Sequence, residues 1–205
     1  GRTGEKVFSR IVGTILANFR RQMIRTVLYF ICSAAAAAFL LLSCAKEEKE
    51  LTVADQEAAI ESYINQNFSQ YNIVRRGGSN RIIVDTTVVG ATDSLEYGDS
   101  LYFYYAGYTF TSSPSSLFST NNEYLATESG FSLSDQDFSI KKVHFTPGAM
   151  ISGLENGLYG VKDGEHCVIL FSAKYGFYDD YVYNIPKLSA LAFEIWVEDV
   201  VKNNR

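Results

Sequence analysis

A chain of 205 residues suffices for one domain with additional segments, and its hydrophobic fraction of 47% is enough to fill one core. Six of the 18 basic residues precede Cys44, so from Ala45 onward 12 basic residues stand against 22 acidic ones, a net charge of -10. That charge repels phosphate backbones, and we therefore expect no nucleic-acid partner.

An apolar run from Val27 to Leu42 dominates the first part of the chain. A membrane-spanning helix needs about 20 apolar residues, so this shorter run is more typical of the hydrophobic region of a signal peptide. Residues 1–22 show no clear fold signal, and we interpret them as an upstream extension with the true start at Met23. Residues 1–43 are thus predicted to be an extension and a signal peptide, with an uncleaved membrane anchor as the alternative.

The run ends in Leu41-Leu42-Ser43-Cys44, which matches the Leu-x-Ser-Cys lipobox of bacterial lipoproteins. Cleavage before Cys44 leaves its thiol free for acylation, so Cys44 is the predicted lipidation site, with palmitate as an attached chain. Residues 44–51 are predicted to be this cysteine and a solvated, charged tether. They also resemble the Lys-Glu-Glu surface-export signal of one group of Gram-negative bacteria. We expect a lipoprotein outside the cytoplasm, anchored to a membrane by its lipid, at the outer membrane or the cell surface.

A helix is predicted over about 53–68, in a segment at 52–69. It opens with a variant of the capping box, in which Thr52 is followed three residues later by Asp55. Ile60, Ile64 and Phe68 then form one apolar stripe. The stripe packs against the rest of the chain or mediates dimerisation. We expect the stripe to pack against the rest of the chain, and we expect the protein to be a monomer.

Residues 80–205 are predicted to form a β-rich domain. A turn is expected at Arg76–Ser79 and a loop at Gly176–Asn184. The stretch Phe110–Val143 is less regular, and a short helix is expected within it at Asn122–Ser129. The predicted strands are Arg81–Val88, Leu101–Phe110, Val143–Phe145, a strand around 167–171, and Leu191–Val201.

The stretch around residues 150–171 predicts a short helix followed by a strand. Ile151, Leu154 and Leu158 recur at helical spacing, and Gly160 ends the helix. Alternation then predicts a strand with Cys167 on its inward face, where it is a small core hydrophobe and not a nucleophile.

This helix and strand, which lead to Tyr175-Gly176, resemble the central segment of FKBP-type peptidyl-prolyl isomerases. Further stretches that resemble the family's motifs, in the right order, are Gly98–Leu101, Phe103–Gly107, Asn184–Pro186 and Leu191–Ile195. The resemblance implies an α+β fold: a twisted antiparallel β-sheet wrapped around a short central helix at about 150–158, with the helix at 52–69 as an N-terminal addition. Together with the lipobox it implies a bacterial lipoprotein branch of the family.

The resemblance also implies a site. Positions that correspond to the family's catalytic residues are Tyr105, Phe118, Ile151, Tyr175 and Phe193. Positions that correspond to its substrate-binding residues are Val143, Phe145, Met150, Leu154 and Ile185. In this assignment the backbone N–H of Ile151 holds the substrate carbonyl, and the Tyr175 hydroxyl donates a second hydrogen bond. The alternative is that these are ordinary core residues.

Prolyl isomerisation fits a sequence in which other catalytic motifs are not found. Rotation about a prolyl amide faces a barrier of roughly 18–20 kcal/mol. A pocket of apolar rings strips water from the amide, and the planar form loses more from this than the twisted form. No nucleophile, metal or cofactor is needed. His144 and His166 lie on separate predicted strands without neighbours at ligand spacing, so we expect no metal site and no cofactor.

Three departures from the family pattern bear on activity. The family's Phe-Asp pair is Phe118-Ser119 here, its pocket-floor Trp is Leu154, and the approach to Tyr175 is shorter. Two functions therefore stay open. One is a lipid-anchored prolyl isomerase of weak activity that acts, as a chaperone does, on exported or unfolded polypeptides containing proline. The other is a non-catalytic module that binds a peptide or another ligand.

Overall fold

The structure, a computed structural model, describes residues 47–85, 94–132 and 137–203. The chain divides into two compact units, 1–49 and 50–205, and of the first unit only 47–49 are described. The predicted signal peptide, the lipobox with Cys44 and the end of the strand predicted up to Val88 lie outside the described residues. Within the described ranges, no helix is both long and apolar enough to cross a membrane.

Helix α1 covers residues 47–67 and contains most of the helix predicted over about 53–68. It starts earlier than predicted, since the described part of the expected tether, residues 47–51, is already helical. Ile60 and Ile64 are buried in a core cluster, and Phe68 packs against that cluster just after the helix ends. The apolar stripe therefore packs within the chain, as expected.

Seven strands, two helices and one 3₁₀ turn follow α1 in the described ranges. The strands are β1 (Asn72–Arg76), β2 (Ser79–Asp85), β3 (Ser100–Phe110), β4 (Pro114–Thr120), β5 (Lys141–His144), β6 (His166–Phe171) and β7 (Ala190–Val201). The helices are α2 (Glu123–Ser129) and α3 (Ser152–Leu158), and the 3₁₀ turn is Ala173–Tyr175. The sequence patterns predict each strand and helix except β1 and β4. The sheet thus starts at Asn72 and not at residue 80.

The strands form one antiparallel sheet in the order β1-β2-β6-β7-β3-β4, and β5 also pairs with β3. β7 pairs with one edge of β3 along its whole length. On the other edge of β3, β5 pairs with Ser100–Phe103 and β4 pairs with Ala106–Phe110. Gly77 and Gly78 join β1 to β2, both with positive φ, as a two-residue hairpin turn requires.

The two faces of the sheet bury two different clusters, because side chains alternate along each strand. On the face that carries α3, the buried cluster includes Phe103, Phe145, Ile169, Phe171, Leu191, Phe193 and Ile195. On the opposite face α1 covers a smaller cluster that includes Ile82, Phe110, Leu170, Ala190 and Ala192. The expected fold class, an antiparallel sheet around a short central helix with an additional N-terminal helix, is confirmed.

Candidate functional site

A cleft of about 990 Å³ opens between α3, the edge of the sheet at β4 and β5, and the loop before β7. Eight of the ten site residues implied by the family resemblance line it: Tyr105, Phe118, Val143, Met150, Ile151, Leu154, Ile185 and Phe193. They come from four strands, α3 with the residues before it, and the loop, so the fold brings together residues far apart in the chain. The cleft is therefore the candidate substrate site.

The start of α3 presents a backbone donor to the cleft. Ile151 is the N-cap residue of α3, and no side chain caps this end of the helix. Ile151 lines the cleft, and its N–H donates to no acceptor among the described residues. A backbone N–H in a partly buried place is costly to leave unpaired. This group is therefore available to a carbonyl oxygen of a bound ligand.

Glu155 fixes the turn that leads into α3. Its two carboxylate oxygens accept hydrogen bonds from the Gly148 N–H at 2.7 Å and from the Tyr97 hydroxyl at 2.8 Å. The second of these hydrogen bonds raises the pKa of Tyr97. Because the turn precedes Met150 and Ile151 directly, Glu155 helps to hold both residues at the cleft.

Two glycines allow α3 to lie directly on β6. A Cβ at Gly153 would lie 2.3 Å from the ring of Phe171, and one at Gly157 would lie 2.3 Å from a methyl carbon of Ile169. Both distances are far below a normal contact. Only residues without a side chain permit this approach, which places the first turn of α3 against the core and its N-terminal end at the cleft.

A buried ion pair fastens the other end of α3. The Arg81 guanidinium donates to the carbonyl groups of Gly157 and Tyr159, both at 3.2 Å. Its Nε lies 3.3 Å from Oε1 of Glu165, and the two side chains are 5% and 6% exposed. Burial raises the pKa of Glu165, while the positive charge of Arg81 opposes this shift. Arg81 thus satisfies two terminal carbonyls of α3 and sets the orientation of the helix.

Tyr105 is held on both its backbone and its side chain. The Tyr105 N–H donates to Asn121 Oδ1 at 2.7 Å, and the side-chain amide of Asn121, which is buried, also donates to the Phe103 carbonyl. The Tyr105 hydroxyl lies 2.9 Å from the Ser119 hydroxyl. Both groups line the cleft, so the position at which the family pattern has Asp faces the cleft as a neutral hydroxyl.

Aromatic rings form the apolar wall opposite α3. The rings of Phe118 and Phe193 meet edge to face with centroids 5.7 Å apart, and Phe193 stacks on Phe171 at 5.9 Å. A Cβ at Gly107 would lie 2.8 Å from the Phe118 ring and 2.9 Å from the Phe193 ring. Gly107 is therefore the small residue on β3 that lets these two rings meet. Sequence reasoning did not identify this role.

Tyr175, predicted to donate a hydrogen bond to substrate, lies outside the cleft. The 3₁₀ turn directs its ring to the β1–β2 hairpin, where a Cβ at Gly78 would lie only 2.1 Å from the ring. Phe177, two residues later, lines the cleft instead, and a phenylalanine offers no hydroxyl. The prediction of a tyrosine donor at this wall is therefore wrong for Tyr175.

Phe145 is also outside the cleft, although Val143, on the same side of the chain, lines it. β5 ends at His144, and the next residue is anchored by hydrogen bonds between its backbone and the backbone of Gly98 and Asp99. The Phe145 ring is fully buried and stacks on Tyr97 with centroids 5.1 Å apart. Phe145 is thus a core residue below the site.

The loop before β7 supplies cleft residues that the site assignment from the family resemblance did not include. Besides Phe177 these are Val182, Tyr183 and Asn184, and Phe103, Lys141 and Ala149 line other parts of the cleft. The concentration of aromatic residues in this loop was the available sequence signal.

Other chemistry has little support in the described part of the chain. No group of three or more His, Cys, Asp or Glu is placed there to hold a metal ion. His166 lies 2.9 Å from Glu194 and stacks on Trp196, away from the cleft. Cys167 is fully buried, and burial raises the pKa of its thiol, which makes it a poor nucleophile.

Comparisons with known proteins agree with the fold described above. The model of the FKBP-type peptidyl-prolyl cis-trans isomerase family matches residues 94–198. The crystal structure of FkpA from Escherichia coli aligns with a TM-score of 0.51 and 19% identity, covering 82% of this chain and 70% of that one. The crystal structure of the three FKBP domains of wheat FKBP73 aligns with a TM-score of 0.50 and 13% identity, covering 65% of this chain and 50% of that one. At such low identity these two likenesses concern the fold alone. The chain matches no curated protein sequence.

Proposed function

Because the chain belongs to the family of FKBP-type peptidyl-prolyl cis-trans isomerases, we propose that its cleft binds prolyl residues of polypeptides and accelerates rotation about the bond before the proline. The observation that carries this proposal is the Ile151 N–H, which has no acceptor among the described residues and lies at an apolar cleft. A prolyl ring fits against the aromatic wall, and a substrate carbonyl pairs with this donor.

The physical basis is differential binding. The planar prolyl amide is polar and resonance-stabilised, and its rotation faces a barrier of roughly 18–20 kcal/mol. Rings such as Phe118 and Phe193 displace water from the amide, which costs the planar form more than the twisted one. The hydrogen bond to Ile151 fixes the substrate so that the rotating amide stays among these rings. No covalent step is required of the protein.

We propose that the activity is weak. Ser119 places a neutral hydroxyl where the family pattern has a carboxylate, and Phe177 lines the wall at which a tyrosine hydroxyl was expected. Both changes remove polar groups that act most strongly on charge redistribution in a water-poor site. These two residues also favour the second candidate function, a module that binds proline-containing segments without catalysis.

Measurement of cis/trans exchange on a panel of X-Pro peptides by NMR, with the full chain, tests the proposal. Ile151→Pro removes the N–H while keeping the backbone conformation, since Ile151 has φ -58° and proline requires a similar value. Ile151→Val is the matched control that keeps the donor. We expect the Pro variant to bind peptide more weakly than the Val variant by about 0.5–1.5 kcal/mol. Equal peptide affinity of the Pro and Val variants would show that the Ile151 N–H does not bind the substrate.

For the cellular setting we propose a lipid anchor at Cys44. The lipobox Leu41–Cys44 supports it, and we propose that the protein acts outside the cytoplasm, at the outer membrane or cell surface, on exported or unfolded polypeptides. A palmitate analogue supplied to cells should label the wild type, and Cys44→Ser should not be labelled. Labelling that persists in this variant would contradict the anchor but leave the cleft proposal intact.

A further inference from the structure

We propose that Gln56 of α1 is a positioning residue for one wall of the cleft, the loop at residues 176–189. α1 precedes the segment 94–198 that the family model matches, and it packs on the face of the sheet opposite α3. Describing the loop as a substrate-binding wall rests on the proposed function. The hydrogen bonds that connect Gln56 to the loop do not depend on it.

Four hydrogen bonds form a closed ring between α1 and both ends of the loop. The Gln56 side-chain amide donates to the Leu188 carbonyl at 2.6 Å, and its oxygen accepts from the Ala173 N–H at 2.9 Å. The Leu188 N–H donates to the Tyr178 carbonyl at 2.6 Å, and the Tyr178 N–H donates to the Ala173 carbonyl at 3.1 Å. One side chain therefore closes the base of the loop.

The backbone of this loop needs such support. Tyr178, Tyr183 and Leu188 have φ of 49°, 50° and 55°, in the left-handed region that residues with a side chain rarely adopt. Residues held there persist only where surrounding contacts fix them. Two of the three, Tyr178 and Leu188, have both their N–H and carbonyl groups in the ring with Gln56. The ring of hydrogen bonds with Gln56 thus holds Tyr178 and Leu188, whose left-handed backbone conformation is unfavourable by itself.

The loop also provides much of the cleft. Phe177, Val182, Tyr183 and Ile185 line it, and all four lie between Ala173 and Leu188, the two residues that bond to Gln56. Val182 and Ile185 exchange backbone hydrogen bonds within the loop, so the segment between Tyr178 and Leu188 has its own hydrogen-bonded structure. Tyr178 and Leu188, which bond to each other, form the base of this segment. A shift of that base would move the whole wall relative to Ile151 and the aromatic rings.

Hydrogen exchange of backbone amides in the full chain, followed by NMR, tests the role of Gln56. Gln56→Met keeps the size of the side chain and removes both of its hydrogen bonds. We expect the amides of Tyr178 and Leu188 to exchange about tenfold faster or more, while the core strand amide of Ile195 is unchanged. Affinity for an alanine–proline peptide should fall about two- to tenfold, as for one or two neutral hydrogen bonds.

Two further variants sharpen the test. Gln56→Glu keeps the acceptor for the Ala173 N–H but sets a carboxylate oxygen against the Leu188 carbonyl, so Leu188 should exchange at least as fast as in Gln56→Met. Gln66→Met makes the same chemical change at an exposed position of α1, where among the described residues the side chain bonds only to Ser62, and should change nothing. Unchanged exchange at Tyr178 and Leu188 in Gln56→Met would overturn the proposal.

Other outcomes are equally decisive. Equal acceleration at Ile195 would make Gln56 a residue of general stability, and faster loop exchange with unaltered peptide affinity would remove its role in positioning the wall. Both results would overturn the proposal. A wild type that bound no proline peptide would instead refute the proposed function, while the exchange data would still decide whether Gln56 holds the loop.

Discussion

The hydroxyl groups of Tyr105 and Ser119 lie 2.9 Å apart at the cleft, and either one is able to donate the hydrogen bond between them. A carboxylate at position 119 would accept this bond and add a negative charge in a water-poor site, where such groups act strongly on a rotating amide. We expect Ser119→Asp to accelerate cis/trans exchange about tenfold or more without tightening peptide binding, because the added interaction acts mainly on the transition state. NMR exchange and peptide titration measure the two quantities.

Ser116→Asp is the matched control for this substitution. Ser116 lies on the same strand, is exposed and does not line the cleft, so an aspartate there adds the same charge outside the site and should leave the exchange rate unchanged. A wild type that already catalyses exchange rapidly, and as fast as the Ser119→Asp variant, would show that the carboxylate is irrelevant, and it would also remove the binding-only alternative.

Phe177→Tyr should restore a hydroxyl to the wall at which the tyrosine donor was expected. Phe177 lines the cleft, and one neutral hydrogen bond to a bound peptide contributes about 0.5–1.5 kcal/mol. Peptide affinity should rise by that amount in a titration. Tyr175→Phe removes a hydroxyl outside the cleft and should leave affinity unchanged. Weaker binding by Tyr175→Phe would show that the ring moves into the cleft when peptide is present.

The error at Tyr175 shows what local sequence does not determine. The pair Tyr175-Gly176 matches the family motif, yet the 3₁₀ turn points Tyr175 to the hairpin and brings Phe177 to the cleft. The Ala173 N–H within this turn bonds to Gln56, a residue 117 positions away in the chain. A contact over that distance leaves no periodic pattern in the sequence, so the path of the turn could not be inferred from it.

Positions set by local periodicity were predicted well. The helical spacing of Ile151 and Leu154 and the strand alternation at Val143 and Phe193 predict the elements in which these residues lie, as the structure has them. Their assignment to the site came from the family resemblance, and all four line the cleft. β4 was missed because it is an edge strand that begins at Pro114 and is rich in serine. A proline at such a place is typical of an edge strand but is equally common in loops.

Gly153→Ala should destabilise the fold although alanine favours helices. Helix propensity alone predicts a gain of roughly 0.5–1 kcal/mol, but the new Cβ would lie 2.3 Å from the fully buried ring of Phe171. Overpacking of a core costs typically about 1–3 kcal/mol, so we expect a net loss of stability in urea unfolding. Ser62→Ala at an exposed position of α1 is the control and should stay within about 0.5 kcal/mol of the wild type. Increased stability of Gly153→Ala would show that α3 moves away from the sheet without cost.

The ion pair between Asp99 and Lys202 should make stability depend on pH in the acid range. Burial by itself raises the pKa of Asp99, but hydrogen bonds from Lys202 Nζ at 2.9 Å and from the Glu96 N–H at 2.8 Å outweigh it, and the pKa lies below its ordinary value of 3.8. A carboxyl with a lowered pKa in the folded state stabilises the fold above its unfolded pKa, and this contribution is lost as the pH falls through the folded pKa.

Lys202→Met should therefore lower the free energy of unfolding at neutral pH by about 1.5–3 kcal/mol, the usual range for a hydrogen bond to a charged group. The difference from the wild type should shrink as the pH is lowered below 3.8. Lys187→Met removes an exposed pair with Asp179 and should cost less than about 1 kcal/mol at neutral pH. Urea titrations across the pH range measure these differences, and a gap for Lys202→Met that did not change with pH would rule out the assigned role of Asp99.

Lys141 should give the cleft a preference for acidic residues beside the proline. It is the only side chain with a formal charge among those that line the cleft in the described part of the chain, and it contributes a positive charge to an otherwise acidic domain. An exposed ion pair contributes about 0.2–1 kcal/mol. Peptides with Glu next to proline should therefore bind about one and a half to fivefold more tightly than the same peptides with Lys, and the difference should fall as salt is added.

Charge reversal at two neighbouring lysines separates this effect from general electrostatics. Lys141→Glu should invert the preference, because the charge at the cleft changes sign. Lys142→Glu makes the same change one residue later, where the side chain lies over the ring of Tyr102 at 5.0 Å from its centroid and does not line the cleft. That variant should keep the preference for Glu. Equal shifts in both variants would mean that the net charge of the domain, and not Lys141, selects the peptide.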